Sequence, residues 1–374
     1  MLLDWTPEQK ALRHQYQTIG AGIFERRRTE AEGFDHIGWQ QLCDAGLWQM
    51  VIPPSHCGTG VDWWNFTAAL EGLSSSIRSP ALLLSIITQA GMVRALTLYG
   101  STAQKDRYFS AILRGKLSAT AIAEHSTGAD LRNIETTLTQ DWEGYLLQGN
   151  KYNIAHAPLA DFMLVVCRLA NTEKNSTALV LLDRDHLGVS SSAQDNKLGV
   201  RDLPTGSLCF DNVRLEERQL LGKPGDGLHE LIDIISLGRL YYALIAANVI
   251  EPYLSDAIHY GRNRRSFNSP VDSYQYVISI KIGIERTRWL AYAALSQLLN
   301  GHADALMTCS IANLVGAEDL ISSALGLVKL YGSVGYQDGG IATFARDALG
   351  FSSIGGTEEI HRKNIFSQLT RLAA

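Results

Sequence analysis

Residues 346–362 read RDALGFSSIGGTEEIHR. The stretch carries two adjacent glycines, Gly355 and Gly356, which suit a tight turn or close packing, and Thr357, Glu358 and Glu359 follow directly. Around it lies a chain of 374 residues with 46% apolar content, enough to bury one large core or two to three subdomains without disulfides or metals. A net charge of −5, from 33 basic and 38 acidic residues intermixed, leaves no polycationic face for nucleic acid. The longest apolar runs, such as Ala81 to Ile87, fall short of a membrane span, and MLLDWTPEQK lacks the basic-then-apolar order of a secretory signal. The expectation is a cytoplasmic protein with no membrane segment. Cys43, Cys57, Cys167, Cys209 and Cys309 form no C-x-x-C pair, and the histidines show no metal-ligand spacing, so free thiols and no metal are expected.

The hydrophobic period changes twice along the chain. From Thr6, an N-cap followed by Pro7, the pattern is helical, with breaks at Gly33, Pro53–Pro54 and Gly58–Gly60. Trp63 to Ser74, Pro80 to Tyr99 and Thr102 to Leu113 read as three further helices. Short β-branched and apolar runs then appear at Tyr145 to Gly149, Phe162 to Arg168, Thr177 to Leu182 and Ser207 to Val213. From Gly227 the chain is helical again, and Leu228 to Tyr260 has so few charges that nearly every face must be covered. As one helix of about 33 residues it would be about 50 Å long. Tyr274 to Asn300 and Ala303 to Leu330 follow. These blocks predict an α+β, mainly helical protein: an N-terminal helical domain (1–116), a central β-barrel-like domain (117–225) and a C-terminal four-helix bundle (226–374).

The order of blocks and the residues of 346–362 resemble the acyl-CoA dehydrogenase superfamily over essentially the whole chain. The family's usual form of this stretch has a YEGT-like turn, whose Glu is commonly the base that removes the substrate's α-proton and whose Gly and Thr receive FAD. Here the turn is Ile354, Gly355, Gly356, Thr357. The second family position for the base precedes an Arg on the long core helix. In this chain that position is Gly238, followed by Arg239. The resemblance therefore implies FAD and the fold, while both base positions are glycine.

Further matches carry the same implication. AEHSTGAD (123–130) is similar to the loop that lies against flavin and acyl thioester, with Glu124, Gly128 and Asp130 retained and Ala129 toward the substrate. GNKYNIAHAPLAD (149–161) resembles a G-x-K-x-W-I-T-N-G segment, placing Asn153 where a Trp covers the flavin and Ala155 where a Thr bonds N5. KLGVRDLPTGSLCFDNVRLEERQLLG (197–222) is a fold marker. YGRNRRSFNSP puts Arg264, Ser266 and Phe267 at the diphosphate, with Gln275 facing the cofactor, and KLYGSVGY puts Gly332 and Gly335 at a neighbour's adenine. Gly356, Thr357 and Glu359 complete the implied cofactor residues.

A site built across subunits implies a homodimer or homotetramer. The implied partner is an acyl thioester on CoA or on an acyl carrier protein. His156 and Arg239 are the candidate replacement catalytic groups. Leu84, Thr88, Leu237 and Tyr241 are the candidate pocket residues. The two glycines read either as packing positions or as openings that enlarge the pocket beside the flavin. The leading expectation is oxidation of a hydroxyacyl or aminoacyl thioester. A flavin monooxygenase or redox-neutral enzyme, and a non-catalytic FAD- or thioester-binding scaffold, are the alternatives.

Overall fold

The computed structural model describes residues 4–27, 33–126, 128, 131–170, 176–266, 269–270 and 274–372. Helices α1 (Pro7–Arg27), α2 (His36–Asp44), α3 (Trp63–Ser74), α4 (Ala81–Tyr99) and α5 (Thr102–Leu113) come first. Local chemistry sets their starts. Asp62 accepts hydrogen bonds from the N–H groups of Trp64 and Asn65 ahead of α3, and Ser101 and Gln104 close a capping box at α5. α4 is apolar around almost its whole circumference and is buried accordingly, against α6 on one side and the sheet on the other.

The chain then forms strands β1 (Ser118–Ala121), β2 (Thr137–Asp141), β3 (Gly144–Ala155), β4 (Phe162–Leu169), β5 (Thr177–Asp183), β6 (Val189–Ser191), β7 (Thr205–Leu215) and β8 (Leu220–Gly225). They make one mixed sheet in the order β6-β7-β3-β2-β4-β5-β8, with β1 added in parallel beside β4. The unbroken apolar run of β4 follows from burial on both faces. Phe162, Leu164 and Val166 join the core shared with the helices, while Met163, Val165 and Cys167 join a second core within the β-domain. β3 runs past the expected Gly149 because register shifts between Leu147 and Gly149 and between Lys151 and Ile154 let it bend and continue. Asn153 and His156 lie at this bend with φ of +53° and +66°.

Helices α6 (Gly227–Val249), α7 (Glu251–Asn263), α8 (Tyr274–Leu299), α9 (Ala305–Tyr331), α10 (Gly340–Leu349) and α11 (Glu358–Leu372) complete the chain. The single helix expected over Leu228–Tyr260 is two. Pro252, in the first turn of α7, has no N–H for the carbonyl of Asn248, and α6 ends at Val249. α6, α8 and α9 pack on one another, with α10 and α11 against α9. The expectation drawn from the longest apolar runs needs correction, since α4, the run 227–263 and α9 are each long and apolar enough to cross a membrane. The first two are mostly covered by the fold, but only 33% of α9's apolar window is buried, so much of that helix lacks cover within one chain.

Candidate active site

The two glycine positions meet in space. Arg239 on α6 is 5% exposed and donates from Nε to the carbonyl of Gly355 at 3.2 Å, with Nη1 3.4 Å from Ser310 Oγ on α9. Burial lowers its pKa to about 10, so it keeps its charge at neutral pH. Its acid partner is not Asp233, which Arg94 holds at 2.8 Å. Gly355 has φ +77°, and a Cβ there would overlap the Asn313 amide nitrogen and stand 2.7 Å from Tyr242 Cδ2. Asn313 in turn donates to the carbonyl of Ile354 at 3.2 Å. Gly238 is different: a Cβ would meet Tyr242 Cε2 at 3.5 Å and Ile87 Cγ2 at 3.8 Å, both ordinary contacts. The expectation of an enlarged pocket therefore fails at Gly355, where Tyr242 and Asn313 fill the room. The ring of Tyr242 lies between the two glycines.

His361, on the first turns of α11, packs against Gly356, whose φ is +126°; a Cβ there would lie 3.2 Å from Nε2. It is 2% exposed with neither ring nitrogen in a hydrogen bond of good geometry. Burial, reinforced by the nearby Arg239 cation, lowers its pKa to about 4 and keeps it neutral. Tyr242 is half-buried, and burial raises its hydroxyl to about 12, so it stays protonated at neutral pH.

Several expected site residues have other work. His156 is fully buried, with Nδ1 2.8 Å from Ser118 O and Nε2 2.9 Å from Ser85 Oγ. Burial lowers its pKa to about 4. Both nitrogens are engaged, so it ties β3 to β1 and α4 and is not a free acid–base group. Glu124 is 3% exposed and its carboxylate is consumed inside the protein, by Lys151 Nζ at 2.7 Å and the N–H groups of Glu135 at 2.6 Å and Thr136 at 3.0 Å. It anchors the 123–128 loop rather than facing a ligand. Although burial opposes ionisation of Glu124, these bonds outweigh it and hold the carboxyl below its ordinary range.

Of the expected pocket residues, Thr88 is half-buried while Leu84, Leu237 and Tyr241 are buried. Tyr241 turns into the helical core, its hydroxyl 3.0 Å from Thr67 Oγ1 and donating to the Trp63 carbonyl at 3.2 Å. The tyrosine beside the glycines is Tyr242, one helical turn after Gly238. That i to i+4 spacing was the available signal, whereas Asn313 and His361 come from other helices and left none.

The expected cofactor residues fall into groups. The 123–128 loop and the end of β3 come together through the Tyr152 N–H, which donates to Ala123 O at 2.8 Å. Gly128 (φ +57°) and Gly332 (φ +60°) have open space where a Cβ would stand. Asn153 is exposed, and its left-handed backbone suits Asn better than a bulky residue. Ala155 beside it is half-buried. Stacking of Tyr260 on Tyr331, with ring centroids 4.3 Å apart, brings the ends of α7 and α9, and hence Arg264 and Gly332, to one edge. Arg264 and Gln275 are exposed, and no group among the described residues pairs with the Arg264 guanidinium.

Gly335 instead serves packing, since a Cβ would stand 2.8 Å from Val328 O. Thr357 caps α11, its hydroxyl accepting from Ile360 N at 3.4 Å, and Glu359 faces outward to Lys363 at 3.2 Å. Ser266 pairs through its backbone with Ser269, whereas Phe267, Ala129 and Asp130 lie outside the described residues. The Arg346–Asp347 end of the opening stretch faces a separate cleft of about 690 Å³ between α1, α10 and residues 198–202.

Models of three domains match this chain in order: acyl-CoA dehydrogenase, N-terminal domain over residues 6–116, middle domain over 119–213 and C-terminal domain over 225–370. An acyl-CoA dehydrogenase of Bacillus subtilis is 28% identical over 325 residues, 85% of each chain. Benzylmalonyl-CoA dehydrogenase of Aromatoleum aromaticum is 28% identical over 373 residues, 96% of this chain and 97% of the relative. Among solved structures, the prolyl acyl carrier protein oxidase AnaB has a TM-score of 0.92 at 22% identity, covering 98% of this chain and 100% of its own. PigA with FAD and proline has a TM-score of 0.92 at 18% identity, covering 99% of both. These two are likenesses of fold.

Proposed function

The chain belongs to the acyl-CoA dehydrogenase family, and on that footing we propose that it is an FAD-dependent oxidoreductase acting on a small acyl group held as a thioester on an acyl carrier protein. The bond oxidised is carbon–heteroatom, in a hydroxyacyl or aminoacyl group, rather than Cα–Cβ. One observation carries this reading: neither glycine position presents a carboxylate, and at Gly355 the room is filled by Tyr242 and Asn313. Losing a positioned base lowers rate on the order of 10² to 10⁴, so straight-chain α,β-dehydrogenation is disfavoured.

The residues present fit FAD. Open left-handed backbone at Gly128 and Gly332 permits close approach, and the exposed Arg264 guanidinium suits a diphosphate. Gln275, Thr357, Asn153 and Ala155 are the other residues proposed to hold it. When bound, FAD supplies a two-electron acceptor. Of the chain's own residues, Arg239 fixes the 354–357 turn, and Glu124 with Lys151 fixes the loop that follows β1.

The uncovered apolar face of α9, with exposed Ile278, Ile282 and Trp289 on α8, supports a homo-oligomer. Five unpaired cysteines are in keeping with a cytoplasmic protein. Sedimentation and cell fractionation test these two points.

The test of function is an anaerobic absorbance titration of the FAD-loaded protein with straight-chain, hydroxyacyl and aminoacyl thioesters, on CoA and on carrier protein. Bleaching of the flavin band by a substituted thioester, with straight chains inert, supports the reading. Bleaching by straight chains alone overturns it. The methyl of Ala155 at the expected N5 position favours a second reading, oxygen-dependent or redox-neutral chemistry. That reading gains if no thioester bleaches a fully loaded protein and turnover needs O₂ or leaves the flavin oxidised.

A further inference from the structure

The cleft between α1, α10 and residues 198–202 has no part in the reading above. Its volume of about 690 Å³ falls within the roughly 300–1,000 Å³ of small-molecule sites and exceeds what one inorganic anion needs. All three domains wall it: Phe24, Phe34 and Arg78 come from the N-terminal helices and their connections, Leu198 from the β-domain, and Thr343 and Arg346 from α10. Junctions between domains are where such sites usually form. Gly339 (φ +95°) and Gly340 (φ +49°) also line it with open space where a Cβ would stand, so neither position closes it.

The acids in the lining are largely taken. Asp35 accepts from Arg26 at 2.6 Å and from the Gly38 N–H at 2.8 Å, Asp202 from Arg27 at 3.0 Å and the Gly33 N–H at 2.7 Å, and Asp347 from the Val200 N–H at 2.6 Å. Two of the cations keep donors in hand. Arg346 bonds through Nη2 alone, to Asp338 at 2.8 Å and Thr343 Oγ1 at 3.1 Å, and its Nε and Nη1 have no partner among the described residues. The Asp338 side chain is 85% exposed beside the two glycines, and so open a pair is worth little. Arg78 bonds through Nη1 alone, to Asp256, and its guanidinium lies over the rings of Tyr253 at 5.1 Å and Phe24 at 5.7 Å. Unused N–H groups on two half-buried guanidiniums suit a carboxylate, which Arg binds two bonds at a time.

Apolar surface stands beside these donors. Phe24 and Phe34 are half-buried, and Leu198 is 62% exposed. A bare anion would leave that surface wet, and a neutral apolar molecule would leave the guanidinium donors unmatched. We infer that the cleft is a binding site for a small organic anion with a flat apolar body, of the aryl carboxylate class, separate from the site that holds FAD and the thioester.

The test is a calorimetric titration of the full-length, FAD-loaded protein with 2-naphthoate. Naphthalene-2-methanol supplies the ring without the charge, and inorganic phosphate the charge without the ring. One naphthoate per chain should bind, at least about tenfold tighter than either control, with the flavin absorbance showing no release of FAD. Arg346→Gln removes the charge, and Thr343→Glu sets a carboxylate beside Arg346 from an exposed position on α10. Each should weaken naphthoate about tenfold while FAD content and melting temperature stay at the wild-type values. If Arg346→Gln does not fold, Thr343→Glu carries the test alone. The inference is overturned if naphthoate does not bind, if the alcohol binds as tightly, if binding expels FAD, or if Thr343→Glu binds naphthoate as wild type does.

Discussion

Substituting alanine for Gly355 should destabilise the protein, while the same change at Gly238 should not. At Gly355 the backbone has φ +77°, where an L-residue costs roughly 1–2 kcal/mol. The added Cβ overlaps the Asn313 amide, which must give up its 3.2 Å hydrogen bond to Ile354 O, at about 1 kcal/mol. It also crowds Tyr242 Cδ2 at 2.7 Å, and overpacking of this kind costs about 1–3 kcal/mol. The sum is roughly 3–6 kcal/mol. Gly238 lies inside α6 with its nearest neighbour at an ordinary 3.5 Å, so alanine should gain about 1 kcal/mol of helix propensity. For 374 residues each kcal/mol shifts the melting temperature by roughly 1–1.5 °C. Scanning calorimetry at fixed protein and FAD concentration should therefore show Gly355→Ala melting roughly 3–9 °C lower and Gly238→Ala unchanged or about 1 °C higher. A Gly355→Ala protein as stable as Gly238→Ala would refute the claim that Tyr242 and Asn313 occupy that space.

Because Gly238 accepts a Cβ at ordinary contact distances and Gly355 does not, Gly238→Glu should let straight-chain acyl thioesters reduce bound flavin on the order of 10² faster than wild type, read by stopped-flow absorbance. Gly355→Glu should not, and equal gains in both would contradict the geometry. Burial raises the Asp347 carboxyl to about 6, so the proton is held more tightly folded than unfolded; that stabilisation is complete below the ordinary Asp range and lost as pH rises through about 6. Asp347→Asn keeps an oxygen for the Val200 N–H and should gain roughly 2–3 kcal/mol on wild type between pH 4 and 7 in urea melts, whereas parallel pH curves would exclude this. Lys151→Met strands the buried Glu124 carboxylate and should cost about 3–5 kcal/mol, much of it recovered by adding Glu124→Gln. A double variant as unstable as the single one would show that the pair is not the cause.

The helices were legible from their period and breakers, and α3 and α5 begin at the expected Trp63 and Thr102, where the structure shows Asp62 and Ser101 as caps. The short strands were not. SATA at β1 and TLTQD at β2 have little β signature of their own, and pairing makes them strands, Ser118 opposite Phe162 and Thr137 opposite Gln148. The site shows the same division. Glycine at 238 and 355 is written in the chain, but what fills the space is not. Asn313 arrives from α9, and the choice between Tyr241 and Tyr242 is a rotation of about 100° around α6 that hydrophobic period alone does not decide between two tyrosines. Glu124 and His156 looked free in sequence because their partners, Lys151 and Ser85 with Ser118, are distant along the chain.

The packing around Gly355 also weighs against a decayed, non-catalytic scaffold. Loss of a side chain without replacement leaves a void, and a void of even a few methyl groups costs stability that the surroundings recover only partly. Here there is no such void: the Tyr242 ring and the Asn313 amide enter the space, and Gly355 adopts a backbone conformation that favours glycine. Arg239 still holds the turn by its carbonyl, which requires a buried guanidinium to be kept without a paired acid among the described residues. Keeping a cation in so unfavourable a place, against a turn rebuilt around a tyrosine, is better explained by a site that still binds an electron-rich group than by one that has ceased to bind anything.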